Sequence, residues 1–103
     1  MKVSQVLKKR YGWEDPEAQE ALEEERLNVR IAEMIYNYRK EAGLTQLQLA
    51  ERVGTTQSVI SRLEDADYKG HSLQMLSRIA RALNHRLQVN LIPLKEKVLQ
   101  KVK

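Results

Sequence analysis

The stretch that decides the fold runs from Thr45 to Leu63 and reads TQLQLAERVGTTQSVISRL. Apolar residues recur at helical spacing on both sides of Gly54, which predicts two short helices, 46–53 and 57 to about 65, joined by a tight turn. The apolar positions of the two helices would pack together and fix the helices at a steep angle. These positions are Leu49, Ala50, Val53, Val59, Ile60 and Leu63.

Hydroxyl residues stand directly before each of these two helices. Thr45 is placed to cap the first helix and the pair Thr55-Thr56 to cap the second, because a threonine oxygen accepts a hydrogen bond from a free N–H group at a helix start. For Thr55, capping is the favoured role.

The outer face of the second helix is small and polar, and this packing leaves it free. A helix that enters the major groove of DNA needs such a face, because glutamine pairs with adenine, and arginine with guanine, through two hydrogen bonds each. The N-terminal end of the helix should make most of these contacts, since it points into the groove. The residues of this face are Thr56, Gln57, Ser58, Ser61, Arg62 and Asp65.

Helix signals also flank this pair on both sides. Asp15-Pro16 is a good start for a long helix that nothing interrupts before Gly43. Ser72 is placed to cap a further helix that ends near Asn84, a residue type that tolerates the left-handed conformation. The fold class predicted from these elements is mainly α, with four to five helices.

Residues 86–92, RLQVNLI, change to the two-residue period of a β-strand. Leu87, Val89 and Leu91 alternate with polar residues, and Pro93 closes the segment. Because no second convincing strand lies nearby in the sequence, a lone strand would leave its backbone groups unpaired. Pairing with the same strand of a second copy resolves this, so we expect a homodimer whose interface contains these three apolar residues.

The long helix carries apolar residues on two opposite sides. One side must pack on the core of this chain, and the other needs a dimer mate or a different protein, unless the helix bends near Glu24–Leu27 and folds back. On the second side three residues are spaced in sevens, as in a coiled-coil seam. The first side consists of Leu27, Ile31, Met34, Ile35, Tyr38 and Ala42, and the second of Ala18, Leu22, Val29 and Tyr36.

Length and composition exclude several function classes. The chain has 103 residues, about one domain, and no cysteine, which excludes a disulfide framework and a thiolate metal site. His71 and His85 lack metal-ligand spacing and no glycine-rich phosphate loop is present, so we expect no enzyme, metal or cofactor. No apolar run approaches the ~18 residues that cross a bilayer, and the N-terminus lacks a signal peptide, so we expect a soluble, cytoplasmic protein.

The net charge of +4 hides a gradient along the chain. Residues 1–35 hold six Lys and Arg against eight Asp and Glu, whereas residues 36–103 hold twelve against six. The basic part is suited to DNA phosphates and the acidic part to a basic protein, although solvated helix faces would account for the same charges. The two ends, 1–13 and 94–103, are each compatible with a short helix or with disorder.

Several short motifs within Arg39–Leu83 occur together in one family. They are Leu44-Thr45-Gln46, Leu49-Ala50, Val53-Gly54, Ile60-Ser61, Leu63-Glu64, and Leu76 with Ile79-Ala80-Ala82-Leu83. This stretch resembles the lambda-repressor-like helix-turn-helix domain of the phage-repressor and Cro superfamily, often called the XRE family. The resemblance implies a dimeric repressor that binds a palindromic DNA operator and associates with the nucleoid when bound.

The resemblance also implies roles for individual positions. Gln46 matches a residue that grips a phosphate and supports base contacts, and Arg39 and Glu64 match an internal ion pair. Gln57, Ser58 and Arg62 occupy base-reading positions, Thr56 and Ser61 are placed for phosphates, and Lys40, Lys69 and His71 are further phosphate candidates.

The flanks, an acidic helix before the domain and a strand after it, resemble antitoxins of the HigA type, small repressors encoded beside a RelE/HigB-like ribonuclease toxin. On this basis residues 1–26 would bind the toxin, 27–84 bind DNA and 85–103 dimerise. Seven of the twelve residues 14–25 are acidic and could cover a basic RNA-binding face. The alternative is a stand-alone prophage-type regulator without a toxin partner. The toxin-binding candidates are Leu22, Glu23, Glu24 and Val29.

Overall fold

A computed structural model of the chain describes residues 15–94. This part contains four α-helices, none of which is both long and apolar enough to cross a membrane. The predicted mainly helical fold is confirmed, and each helix begins within one residue of its predicted start. The predictions for 1–13 and 95–103 lie outside the described residues. The helices are α1 (Pro16–Glu41), α2 (Gln46–Val53), α3 (Gln57–Leu63) and α4 (Leu73–Ala82).

Three of the predicted caps are present as hydrogen bonds. The Asp15 carboxylate accepts from the first N–H groups of α1, at 2.9 Å from Glu17. Thr45 and Gln48 form a reciprocal capping box at the start of α2, each side chain accepting from the other's backbone N–H. Ser72 accepts at 3.0 Å from the third residue of α4. These bonds satisfy N–H groups that the helix itself leaves free.

The start of α3 corrects one prediction. Thr56, not Thr55, is the N-cap, and its Oγ1 accepts a 3.3 Å bond from the Val59 N–H. Thr55 instead donates its backbone N–H to the Ala50 carbonyl at 2.9 Å, so it completes the end of α2. Thr55 therefore belongs to the end of α2 and Thr56 to the start of α3. The sequence alone could not assign these roles, because both residues carry a hydroxyl group.

The end of α3 also differs from expectation. The helix stops at Leu63 with Glu64 as its C-cap, rather than continuing to about 65. Asp65 lies in the turn that follows, where its carboxylate accepts a 2.8 Å bond from the Asp67 N–H. A local side-chain bond of this kind competes with the helix, and it removes Asp65 from the outer face of α3.

The turn between α2 and α3 is held from both sides. Gly54 adopts a left-handed conformation with φ of 89°, as its predicted place at the end of α2 requires. Arg78 of α4 donates to the Val53 carbonyl at 2.9 Å, so a third helix fixes the same turn. Gly43 and Asn84 are also left-handed, with φ of 73° and 63°, which confirms the predicted end of α4 at Asn84.

The core lies between α2, α3, α4 and the C-terminal part of α1. Its largest fully buried side chains are Ile35, Leu49 and Ile60. All six apolar positions predicted to join α2 and α3 are buried or packed against this cluster. The buried members are Ile35, Leu44, Leu49, Ala50, Val53, Ile60, Leu63, Leu76, Ile79 and Leu83.

The predicted inner stripe of α1 is only partly correct. Ile31 and Ile35 pack on the core, and the other buried residues of the helix are Ala32 and Arg39. Positions 32, 35 and 39 form one helical face, so the contact is rotated from the predicted stripe. The remaining stripe residues, Leu27, Met34, Tyr38 and Ala42, are exposed. The helix is continuous through Glu24–Leu27, so the alternative in which it is interrupted there is not supported.

The segment after α4 has no regular secondary structure up to residue 94, and none of residues 15–94 lies in a strand. Leu87 packs against the core, whereas Val89 and Leu91 are exposed. A strand needs a partner for its backbone groups, and a single chain supplies none here. The strand over 86–92 and the dimer that it would form therefore stay predictions.

Candidate nucleic-acid interface

The two sides of α3 have opposite characters. Ile60 is completely buried and Leu63 nearly so, which fixes the helix on the core. The residues predicted to read bases or contact phosphates lie on the exposed side of the same two turns. They are Gln57, Ser58, Ser61 and Arg62, and we call this surface the α3 face.

Thr56 stands at the N-terminal edge of the α3 face. Its Oγ1 accepts from the Val59 N–H and lies 3.2 Å from the Ser58 Oγ. The Thr56 oxygen thus accepts a hydrogen bond at the helix start. A second hydrogen bond joins the hydroxyls of Thr56 and Ser58, and either hydroxyl can be its donor. Of the two roles weighed for Thr56, capping is the one that the structure shows.

A buried ion pair connects the ends of α1 and α3. The Arg39 Nε lies 2.6 Å from one oxygen of Glu64, and an Nη lies 3.0 Å from the other. A second Nη donates to the Leu44 carbonyl at 2.7 Å. The hydrogen bond to Glu64 raises the pKa of Arg39, so the guanidinium stays charged throughout the physiological range. The internal pair implied by the family resemblance is confirmed.

Gln46 joins this pair from the start of α2. Its Nε2 donates to the Glu64 Oε1 at 3.1 Å, the same oxygen that accepts from Arg39. Glu64 therefore fixes the half-buried Gln46 side chain relative to the end of α3. One amide N–H and the amide carbonyl of Gln46 remain for a ligand, since each primary amide carries two N–H donors.

The looser phosphate candidates lie outside the α3 face. Lys40 is exposed at the end of α1, with its Nζ 5.8 Å from the centre of the Tyr36 ring. Lys69 is exposed in the loop after α3, next to the carboxylates of Asp65 and Asp67 in sequence. Both lysines are accessible to a polyanion, and the aspartates weaken the positive potential around Lys69.

Both histidines have structural contacts. His71 Nε2 bonds the carbonyl of Leu63, the last residue of α3, at 2.8 Å, and its ring meets Tyr68 edge-on. His85 Nδ1 bonds the Leu83 carbonyl at 2.7 Å. Within 15–94 no group of three or more acidic or histidine side chains could hold a metal ion. The ring of His71 braces α3, which sequence reasoning missed because the contact spans eight residues and has no local pattern.

The residues predicted to bind a toxin are only partly accessible. Glu23 and Glu24 are exposed, whereas Leu22 and Val29 are half-buried. Of the charged residues at 16–33, six are glutamates and two are arginines, and all eight are exposed. The N-terminal part of α1 therefore presents a negative surface, separate along the chain from the α3 face.

Comparison with known proteins places this architecture in one family. The Helix-turn-helix family (HTH_3) matches residues 35–88, which run from the core end of α1 to the segment after α4. A protein of Methanothermobacter thermautotrophicus, named an uncharacterized HTH-type transcriptional regulator, is 54% identical over 50 residues. That alignment covers 48% of this chain and 71% of the relative. No solved structure matches the chain significantly. The chain belongs to the helix-turn-helix family.

Proposed function

We propose that the protein is a sequence-specific DNA-binding transcriptional regulator that reads bases with the α3 face. The observation that carries this proposal is the exposure of four polar side chains on a short helix whose opposite side is buried. The family membership and the name of the archaeal relative support it. Regulators of this family are typically non-enzymatic, and the proposal contains no catalytic step.

The rigid support of α3 favours base reading. Its start is capped by Thr56, its last carbonyl is bonded by His71, and its C-cap Glu64 is paired with Arg39. A helix held at both ends loses little backbone freedom on binding. Gln57 lies in the first turn, which enters the groove most deeply in this class of motif, and Arg62 lies one to two turns further along.

The test uses duplex sites selected from a random DNA library. We expect Gln57→Ala and Arg62→Ala each to weaken binding by about 1–3 kcal/mol and to relax specificity at one base position. Lys40→Ala should weaken binding to all sequences equally. It should also reduce the slope of log affinity against log salt concentration by about one. Arg30→Ala, an exposed arginine on α1, is the matched control. Wild-type binding by the Gln57 and Arg62 variants across mutated sites would contradict the assignment.

We further propose that the regulator is a homodimer formed through residues 86–92, with Leu87, Val89 and Leu91 at the interface. The support is the alternating pattern together with the exposure of Val89 and Leu91 in the single chain. A two-fold dimer of this kind would place the two α3 helices at half-sites about 34–36 Å apart.

Proline at position 89 tests this interface, because it removes a backbone N–H from the ladder. The Val89→Pro protein should sediment as a monomer, and its affinity for operator DNA should fall strongly. The Val89→Thr protein, which keeps the backbone N–H, should remain a dimer. An unchanged dimer in the proline variant would move the interface to the stripe formed by Leu22, Val29 and Tyr36.

A second proposed function is that of an antitoxin, with α1 binding a RelE/HigB-like ribonuclease toxin while DNA binding regulates the operon. The supporting observation is the exposed negative surface of α1, which includes Glu23 and Glu24. A ribonuclease that cleaves mRNA needs a basic RNA-binding face, and this surface would complement it. The other possibility, a stand-alone regulator, predicts no such partner.

Co-expression with the product of the neighbouring gene separates these functions. Glu23→Lys/Glu24→Lys should abolish co-purification with a small basic protein and leave operator binding intact. The matched control, Glu41→Lys/Glu51→Lys, changes the charge equally outside this surface. If the Glu23→Lys/Glu24→Lys variant lost DNA binding but still co-purified with the partner, the assignment of toxin binding to α1 would be contradicted. If no neighbouring reading frame encoded a short basic protein, the stand-alone regulator would be favoured.

A further inference from the structure

An apolar groove lies between the C-terminal part of α1, α4 and residues 85–88. Its volume is about 230 Å³. Arg86 is the single charged residue among those that line it, so the groove offers mainly apolar contacts to an occupant. The apolar walls are formed by Met34, Tyr38, Leu76, Ile79, Leu83 and Leu87.

The chain continues from this groove into its most exposed apolar segment. Leu91 is 96% exposed, and residues 89, 92 and 94 are each at least 65% exposed. These four exceed every other large apolar side chain in the described part of the chain. From Leu87 to Leu94 the sequence carries no charged residue. A contiguous group of exposed apolar residues marks a surface that interacts with another molecule.

We propose that residues 89–94 of a second copy of this chain occupy the groove, and that the exchange is reciprocal. The inference rests on the proposed dimer and names a further part of its interface. The chain's own segment leaves the groove at Gln88 and stays exposed beyond it, so it does not fill the groove. A two-fold axis beside Gln88 would bring the segment of each copy onto the groove of the other.

Symmetry and charge favour a second copy over another protein. In a two-fold dimer each chain contributes one groove and one segment, so the same contact forms twice. Stable interfaces bury about 800 Å² per partner, which the doubled contact approaches more readily than a single one. An uncharged apolar segment also matches a groove whose walls are mostly apolar.

This arrangement differs from pairing of strands alone. Backbone pairing over 86–92 involves no residue of α1. Docking in the groove makes Met34 and Tyr38 of α1 part of the dimer interface. Both are partly exposed in the single chain, at 37% and 41%, and both would be covered in the dimer.

Sedimentation equilibrium of the full chain tests the role of the groove. Met34→Arg should weaken dimerisation at least about tenfold with an unchanged helical circular dichroism spectrum. Leu27→Arg, an exposed apolar position on the same helix, should leave the dimer unchanged. A Met34→Arg dimer of wild-type affinity would overturn the groove proposal while the strand-paired dimer survives. A wild-type chain that stays monomeric at high concentration would overturn both.

Disulfide trapping gives an independent measurement, because the chain contains no cysteine. Under oxidising conditions, a mixture of the Met34→Cys and Leu91→Cys proteins should form mixed disulfides, since these require Cα atoms within about 7 Å. Leu27→Cys mixed with Leu91→Cys should not. Disulfides confined to the Leu91→Cys protein with itself would place the two segments side by side and overturn docking in the groove.

Discussion

The α3 helix and the segment 86–94 both carry apolar residues at regular spacing, yet α3 buries them within this chain whereas the segment packs only Leu87 against the core. Ile60 of α3 has no exposed surface, whereas Leu91 is almost fully exposed. A helix satisfies its backbone internally and needs only a core for one side, but a strand needs a neighbour for its backbone as well. The apolar side of α3 is therefore covered within a single chain, whereas we expect the exposed apolar residues of segment 86–94 to be covered by a second molecule.

The largest effect on the stability of the part that carries α3 should come from the loss of its buried ion pair between Arg39 and Glu64. Arg39→Met leaves the Glu64 carboxylate buried with the Gln46 amide as a donor but without its charged partner, and we expect a loss of about 3–5 kcal/mol in the free energy of unfolding by urea. The double variant Arg39→Met/Glu64→Leu should recover most of this loss. A single variant as stable as the wild type would show that the pair does not anchor the end of α3.

A smaller effect should follow from opening the core behind α3. Ile60→Ala should cost about 2–5 kcal/mol, because the buried side chain leaves a cavity. Leu91→Ala, measured at a concentration at which the chain is monomeric, should change stability by no more than about 0.5 kcal/mol. Equal losses in the two variants would mean that Leu91 packs within its own chain, and the contrast between the two regions would disappear.

The smallest effect concerns the start of α3. Thr56→Ala should lower the free energy of unfolding by about 1 kcal/mol, since it removes the N-cap oxygen. Thr55→Ala keeps that oxygen and should cost less. Thermal unfolding of the two variants under the same conditions gives the comparison, and a larger loss for Thr55→Ala would contradict the assignment of the cap to Thr56.

Much of the fold could be predicted because its signals are local. Asp15, Thr45 and Ser72 precede helices, and Gly54 ends one, each for a reason that depends on its own backbone. The pair Thr55-Thr56 was predicted to cap α3 because either hydroxyl satisfies the same local pattern, and only Thr56 is the cap. The buried face of α1 was rotated from its prediction because the position of the core, not the period of the helix, decides which residues are covered.

Some features of the candidate site could likewise be predicted from the sequence, and others could not. The spacing of α3 indicated its exposed polar face, and the family resemblance indicated the pairing of Arg39 with Glu64. The bracing contacts of Arg78 and His71 had no signal, since each reaches a backbone carbonyl in another element. Which bases the α3 face reads depends on the shape of a bound duplex, so the base-reading roles of Gln57 and Arg62 stay predictions.

The unbroken length of α1 has a consequence for how two large ligands would share this small protein. Glu23 and Ile35 are twelve positions apart on one rigid helix, which corresponds to about 18 Å along its axis. A protein that binds around Glu23 would therefore be centred about 18 Å along α1 from the residue at which the helix packs on the core. A tilt of α1 on the core is one route by which either ligand would influence the binding of the other, and direct contact between the two ligands is the second.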